Sequence, residues 1–189
     1  MSAPPPSPGP APGSPPPPPG KPRRRGRWLI DVALVVAVFV GLQWWLTRDV
    51  VRGALPALEA PLIDEARRDA AQWRATDGAD GFVLYVWATW CPVCKTIEGN
   101  VDAVAQDSPL LTVAMQSGAA AEVARHLAAR NHRWPTLNDP DGRIARQLGV
   151  DAVPTLIFVD GQGRVRSVTQ GYTTTLGIRA RLWWARSRG

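Results

Sequence analysis

The pattern of apolar and polar positions divides the 189 residues into four stretches of different character. Residues 1–27 offer almost no large apolar side chains. Trp28–Leu46 is then apolar throughout, apart from Asp31, Gly41 and Gln43. As a helix these 19 residues run about 28 Å, close to the roughly 30 Å hydrocarbon core of a bilayer. Residues 47–79 are punctuated by Pro56 and Pro61, and Leu62, Ala66, Ala70 and Trp73 fall near helical spacing. That spacing predicts a docking helix or spacer within a connector.

From Gly81 onward, strand-like and helix-like signals alternate. Phe82–Trp87 is short, β-branched or aromatic, and continuously apolar, as a strand buried on both faces should be. Val93, Ile97, Val101 and Val104 predict a helix, and Leu110–Ala114 a second strand. Ala120, Val123, Ala124, Leu127 and Ala128 predict a helix ending near Asn131. Asn138–Gly142 reads as a turn, and Ile144–Leu148 as a short helix stopped by Gly149. Thr155–Val159 and Arg164–Val168 read as strands joined by the hairpin signal Asp160-Gly161-Gln162-Gly163. Leu176, Ala180, Trp183 and Trp184 mark the expected buried face of a last helix. The order β-α-β-α-(short α)-β-β-α is an α/β plan, a parallel strand pair followed by an antiparallel hairpin.

Charge sharpens this division. The net charge of +6 invites a nucleic-acid reading until it is localised. Lys21, Arg23, Arg24, Arg25 and Arg27 precede the apolar stretch with no acidic residue among them, leaving 17 basic and 16 acidic residues elsewhere. No basic face with interleaved aromatics is then evident, so nucleic acid is not an expected partner. Residues 1–22 hold 12 of the 19 prolines and are expected to form a disordered or polyproline-like tail. With the basic cluster before the span, the positive-inside rule predicts a cytoplasmic N-terminus and an external remainder. Trp28 at one end and Trp44 and Trp45 at the other suit interfacial belts. A cleaved signal peptide competes with an uncleaved anchor, but its apolar core would be unusually long and no clean cleavage site follows. The expected organisation is a tail over 1–27, a transmembrane helix over 28–46, a connector over 47–79 and a periplasmic domain over 80–189.

The chemistry centres on Cys91 and Cys94, the two cysteines of the chain, spaced C-x-x-C between an apolar strand and a helical pattern. Such a pair suits redox exchange or half of a metal site better than a structural disulfide framework. At a helix N-terminus, Cys91 is the expected nucleophile and Cys94 the resolving thiol, with Pro92 at the first helical position. Val153-Pro154-Thr155, at the mouth of a strand, is a second signal, because proline is tolerated at a strand's first residue. The gap of 31 residues from Cys94 to His126 is long for a zinc finger, and H-x₅-H lies at the edge of its range. His126 and His132 are expected to be exposed, and no metal is expected.

The stretches Trp87-Ala88-Thr89-Trp90-Cys91-Pro92-Val93-Cys94, Asp139-Pro140-Asp141-Gly142, Gly149-Val150 with Val153-Pro154-Thr155, and the Asp160–Gly163 hairpin resemble the thioredoxin fold. More narrowly they resemble membrane-anchored TlpA-like thioredoxins. Gly171-Tyr172-Thr173-Thr174 and Leu182-Trp183-Trp184, with Pro92-Val93, are most similar to the suppressor-of-copper-sensitivity D type of disulfide oxidoreductase. The resemblance implies a thioredoxin fold with core sheet order 110s-80s-150s-160s, the last pair antiparallel and helices on both faces, after one transmembrane helix. It also implies a cis Pro154 against the cysteines, a substrate-pairing Val153, and an active-site loop including Trp90, Pro92 and Val93. No cofactor beyond the redox disulfide is implied. Disulfide-containing periplasmic proteins and a membrane electron donor of the thiol–disulfide interchange type are the implied partners. Reduction or isomerisation is favoured over oxidation. Reduction of apocytochrome c and Cu(I) delivery through the same thiolates stand as alternatives.

Two positions depart from this family pattern. Tyr85 stands where thioredoxins carry a buried Asp, and Ile97 where many TlpA-like proteins carry a Glu. Glu98, one position further on, is therefore either a surface charge or a proton-transfer residue for Cys94.

Overall fold

The computed structural model describes residues 25–63 and 69–189. The proline-rich stretch and part of the expected connector helix lie outside the described residues. Helix α1 (Arg25–Leu46) contains the apolar stretch Trp28–Leu46, with a mean hydropathy of 2.1 and no buried residue. Among the described residues it is the one helix long and apolar enough to cross a membrane.

The remaining elements build one six-stranded sheet. In chain order they are β1 (Gly53–Ala54), α2 (Ala70–Thr76), β2 (Gly81–Trp87), α3 (Pro92–Ala105), β3 (Leu110–Met115) and α4 (Ala120–Ala129). These are followed by β4 (Thr136–Asp139), α5 (Arg143–Gln147), β5 (Thr155–Asp160), β6 (Arg164–Gln170) and α6 (Thr175–Arg186). The strand order is β1-β6-β5-β2-β3-β4. β2 pairs parallel with β3 and antiparallel with β5, and β5 pairs antiparallel with β6. The expected four-strand core is therefore present. It is extended by β4 beside β3 and by β1 beside β6.

Every residue of β2 is buried, and its side chains alternate between two cores. Val83, Tyr85 and Trp87 face a layer formed by α3, α4 and α6. Phe82, Leu84 and Val86 face the opposite layer. Residues of the stretch 47–79, expected to hold a docking helix or spacer within a connector, pack into that second layer. Val50, Leu55, Leu58, Leu62 and Trp73 are all buried in it, together with Ile144 and Leu148 around α5. Without them the apolar backs of β2 and β5 would face water. The helix expected over Leu62–Trp73 is found at Ala70–Thr76, capped by Asp69 through the Gln72 amide, while Leu62 bridges to Leu137.

Two helix faces also differ from expectation. In α4 only Val123 and Leu127 are buried. In α6 the buried face is Ile178, Leu182 and Ala185, so the expected face of Leu176, Ala180, Trp183 and Trp184 points outward. Both faces of α6 are apolar, so periodicity alone could not choose between them. Gly149 does stop α5: its φ is +68°, and a Cβ there would overlap the Asp49 carbonyl.

The β5–β6 hairpin is organised by the buried Asp160 carboxylate. It accepts from the backbone amides of Gln162 (2.9 Å) and Arg164 (2.8 Å) and from Arg166 Nε. Burial opposes its ionisation, but the Arg164 amide, the Arg166 guanidinium and the Gln162 amide outweigh it, and the carboxyl is held below its usual range. A lowered folded value gives stability that is full above the unfolded carboxylate value near pH 4. This stability is lost as the pH falls through the folded value. Asp160→Asn should therefore cost about 2–3 kcal/mol at neutral pH. Chemical denaturation at a series of pH values should show the gap to the parent protein closing on acidification below about pH 4.

Candidate active site at the sheet-to-helix junction

β2 ends at Trp87, and the chain turns through Ala88–Trp90 into α3. Thr89 and Trp90 are held by the next parallel strand's end, the Thr89 amide donating to Ser117 Oγ (3.0 Å) and Trp90 Nε1 to the Gln116 carbonyl (3.0 Å). Gln116 adopts a positive φ to present that carbonyl. Sequence reasoning missed both residues, because a positive φ at glutamine and a serine after a strand leave no pattern of their own.

Cys91 is the N-cap of α3 and Pro92 its first residue. The Cys94 amide donates to Cys91 Sγ at 3.1 Å, so the sulfur takes one of the helix-terminal amides that has no partner within the helix. Pro92 contributes no amide at a position where none is needed. Cys91 and Cys94 are joined as a disulfide, Cα to Cα 5.3 Å. Both are buried, while Trp90 (56 %) and Val93 (44 %) are exposed around them. Val153–Pro154 is cis, and the Val153 carbonyl lies 3.6 Å from Cys91 Sγ. The Pro154 carbonyl accepts from the Gly171 amide (2.9 Å), which fixes the start of the following loop against the site. The structure thus brings Trp90, Cys91, Pro92, Val93, Cys94, Val153 and Pro154 together.

Glu98 is not a surface charge. It is 8 % exposed on α3, one turn beyond Cys94. Its Oε2 accepts from Arg130 Nη1 at 2.6 Å. His126 Nε2 lies 3.9 Å from Oε1 and His132 Nε2 lies 3.7 Å from Oε2. The histidines, expected to be exposed, have side-chain exposures of only 18 % and 10 %. His132 stacks on Trp134 with centroids 4.0 Å apart, and His132 Nδ1 and Trp134 Nε1 both meet Asp102 Oδ1, at 3.2 and 3.1 Å. His126 packs over Trp87, 5.5 Å between centroids. Burial above all, with Arg130 next, pushes His126 below its ordinary value despite Glu98.

Tyr85 is buried under the same cluster. Burial first, and the charge of Glu98 second, hold its phenol far above its usual value, so it is neutral and no base at working pH. The Tyr85 hydroxyl and Trp87 Nε1 are buried without a hydrogen-bond partner among the described residues. The cluster draws on α3, α4 and the loop after α4, some thirty residues apart in sequence, so no spacing rule could assemble it. Among the described residues, no group of three or more His, Cys, Asp and Glu side chains is arranged to hold a metal ion.

Comparison with known proteins bears on this geometry. Residues 51–168 match the model of the AhpC/TSA family. A thioredoxin-like protein of Haemophilus influenzae is 26 % identical over 155 residues, covering 77 % of this chain and 92 % of that protein. A thiol:disulfide interchange protein DsbE homolog of Paracoccus denitrificans is 31 % identical over 146 residues, covering 72 % of this chain and 80 % of the relative. Among solved structures, a DsbF homologue from Corynebacterium diphtheriae superposes with a TM-score of 0.62 at 18 % identity, covering 70 % of this chain and 87 % of that one. That likeness establishes the thioredoxin-like fold. With more than half its length matched, from the strap that backs the sheet to the β5–β6 hairpin, this chain belongs to the AhpC/TSA family of thioredoxin-like proteins.

Proposed function

We propose that this chain is a membrane-anchored thiol–disulfide oxidoreductase whose domain exchanges disulfides with periplasmic proteins through Cys91 and Cys94. The observation that carries the reading is the Cys94 amide donating to Cys91 Sγ at the N-terminus of α3. The same donor and the helix-end field favour a thiolate at that sulfur once the pair is reduced. The interchange names of the relatives support the class of reaction.

In the reductive direction, Cys91 thiolate attacks a substrate disulfide, forming a mixed disulfide and expelling one substrate thiolate. Cys94 then loses its proton and attacks Cys91 Sγ, releasing the second substrate thiolate and leaving the Cys91–Cys94 disulfide. Two electrons from a membrane donor of the thiol–disulfide interchange type restore the dithiol. Trp90, Pro92 and Val93 supply the exposed rim against which a substrate chain lies. The backbone at Val153, ahead of Pro154, offers that chain a carbonyl beside the reacting sulfur.

Glu98 is the proton acceptor for Cys94 in this scheme. It is the buried carboxylate on the same helix, four residues on, while neutral Tyr85 has no charge to offer. Arg130 bonds it, and His126 and His132 flank it within 4 Å.

Cys94→Ala should leave Cys91 able to attack but not to be released, so thiol-reducible mixed disulfides with periplasmic proteins should accumulate on non-reducing gels. A variant that captures nothing, in a protein that binds one Cu(I) tightly, would sink the oxidoreductase reading in favour of copper delivery. The reduction potential measured against glutathione should lie toward the reducing end of the range spanned by this fold, about −270 to −120 mV, and a value near the oxidising end would overturn the reductive direction.

Glu98→Gln should slow resolution of a mixed disulfide formed at Cys91 by about tenfold or more, and should flatten the dependence of that step on pH. A variant with an unchanged pH profile would assign Glu98 a purely structural role.

Topology follows from the basic residues that precede the apolar stretch. An alkaline phosphatase reporter fused after Gly189 should be active, and a cytoplasm-dependent reporter at the same point silent. The reverse pair of results would invert the orientation.

A further inference from the structure

The outward face of α6 is unusual for a helix packed on a sheet. Leu176 is 78 % exposed and Trp183 71 %, with Ala180 and Trp184 beside them on the same stripe. At about 100° per residue, Arg179 and Arg186 border that stripe along one edge and Arg181 along the other, while Arg188, just past the helix end, lies over the Trp184 ring. Asp160 is the last acidic residue in the chain, and residues 161–189 carry six arginines. An apolar stripe with indole rings, edged by guanidinium groups on long apolar stems, is the arrangement of a helix lying in a lipid interface.

The end of α1 gives this face its neighbour. Gln43 Nε2 donates to the Gln170 carbonyl at 3.2 Å, just before the loop into α6. Phe39 and Gln43 line one shallow cleft with Tyr172, Gly177 and Arg181.

We propose that the exposed face of α6 is a lipid-docking surface that lies on anionic headgroups of the same membrane that α1 enters. Trp183, Trp184 and Leu176 enter the interfacial layer, where indoles are favoured, and the flanking arginines meet lipid phosphates. Arg179 is already paired with Asp107 and Arg186 with the Gly81 carbonyl; Arg181 gives one N–H to the Gly177 carbonyl and the exposed Arg188 lies over the Trp184 ring, so these two carry the contact with their remaining N–H groups. The chemistry favours lipid over an acidic protein, because the exposed apolar stripe lies between the charges and both are satisfied together only at an interface. The inference rests on the anchoring role assigned to Trp28–Leu46.

The test uses the full chain with Cys91→Ser and Cys94→Ser, carrying one spin label at a time in lipid nanodiscs with or without phosphatidylglycerol. Labels are introduced by Leu176→Cys on α6, Ala121→Cys on the exposed side of α4, and Val35→Cys in the apolar stretch. Power saturation should give residue 176 several-fold higher access to oxygen relative to a water-soluble nickel complex than residue 121. Omitting phosphatidylglycerol, or adding Arg181→Gln and Arg188→Gln, should shift residue 176 toward the value at residue 121. Equal, water-like values at 176 and 121, with residue 35 in lipid, would overturn the docking surface and leave the anchor standing. A water-like value at residue 35 would instead overturn the anchor. Spin–spin broadening between labels at residue 176 would put a second copy of the chain on this face, and protection at residue 176 indifferent to lipid charge and to the arginine changes would remove the headgroup contact; either result overturns the proposal.

Discussion

A strand buried on both faces can carry chemistry only at its end, and the structure depends on that constraint. β2 runs between β3 and β5 with no exposed position, so its first polar opportunity comes after Trp87. There α3 begins, with amides that its own turns cannot satisfy, and the sulfur of Cys91 accepts from one of them. Antiparallel pairing of Val86 with Thr155 brings Val153 and Pro154 level with the same point. Sheet register and helix initiation thus converge on one pair of sulfurs, and neither arrangement could shift by a residue without separating them.

Much of this was legible in the sequence, because each part leaves a local signature. Continuous burial at Phe82–Trp87, proline after Cys91, proline opening β5 and the Asp160–Gly163 turn each specify a local geometry. What stayed hidden was pairing between distant segments. β4 is four residues long and merges into the Asn138–Gly142 turn, where Asp139 accepts from the Ile144 and Ala145 amides and starts α5. The strap over Val50–Leu62 carries its apolar residues at irregular intervals, since apart from the two-residue β1 and the bridge at Leu62 it forms no element of fixed period. The orientation of α6 was ambiguous because an apolar stripe runs along both of its sides.

The polar cluster behind the cysteines was illegible for a different reason. A carboxylate buried beside the sheet is costly unless paired, and Glu98 finds its pair in Arg130 on the far end of another helix. Asp102 orients His132 and Trp134 from the next turn of α3, so two acidic residues of one helix organise the whole segment after α4. The tyrosine at residue 85 fits this arrangement: it fills the space below α3 without adding a second charge that would compete with Glu98.

The strap has a mechanical consequence. The apolar helix ends at Leu46 and Val50 is already buried in the core, so the connection between them is only a few residues long. Gln43 is bonded to the domain before the helix has even ended. On the proposed anchoring of Trp28–Leu46, a connection this short keeps the domain at the membrane instead of letting it range on a long leash. On that reading, encounters with other proteins of the same membrane become a search in two dimensions at high local concentration, while soluble substrates must come down to the surface to be met.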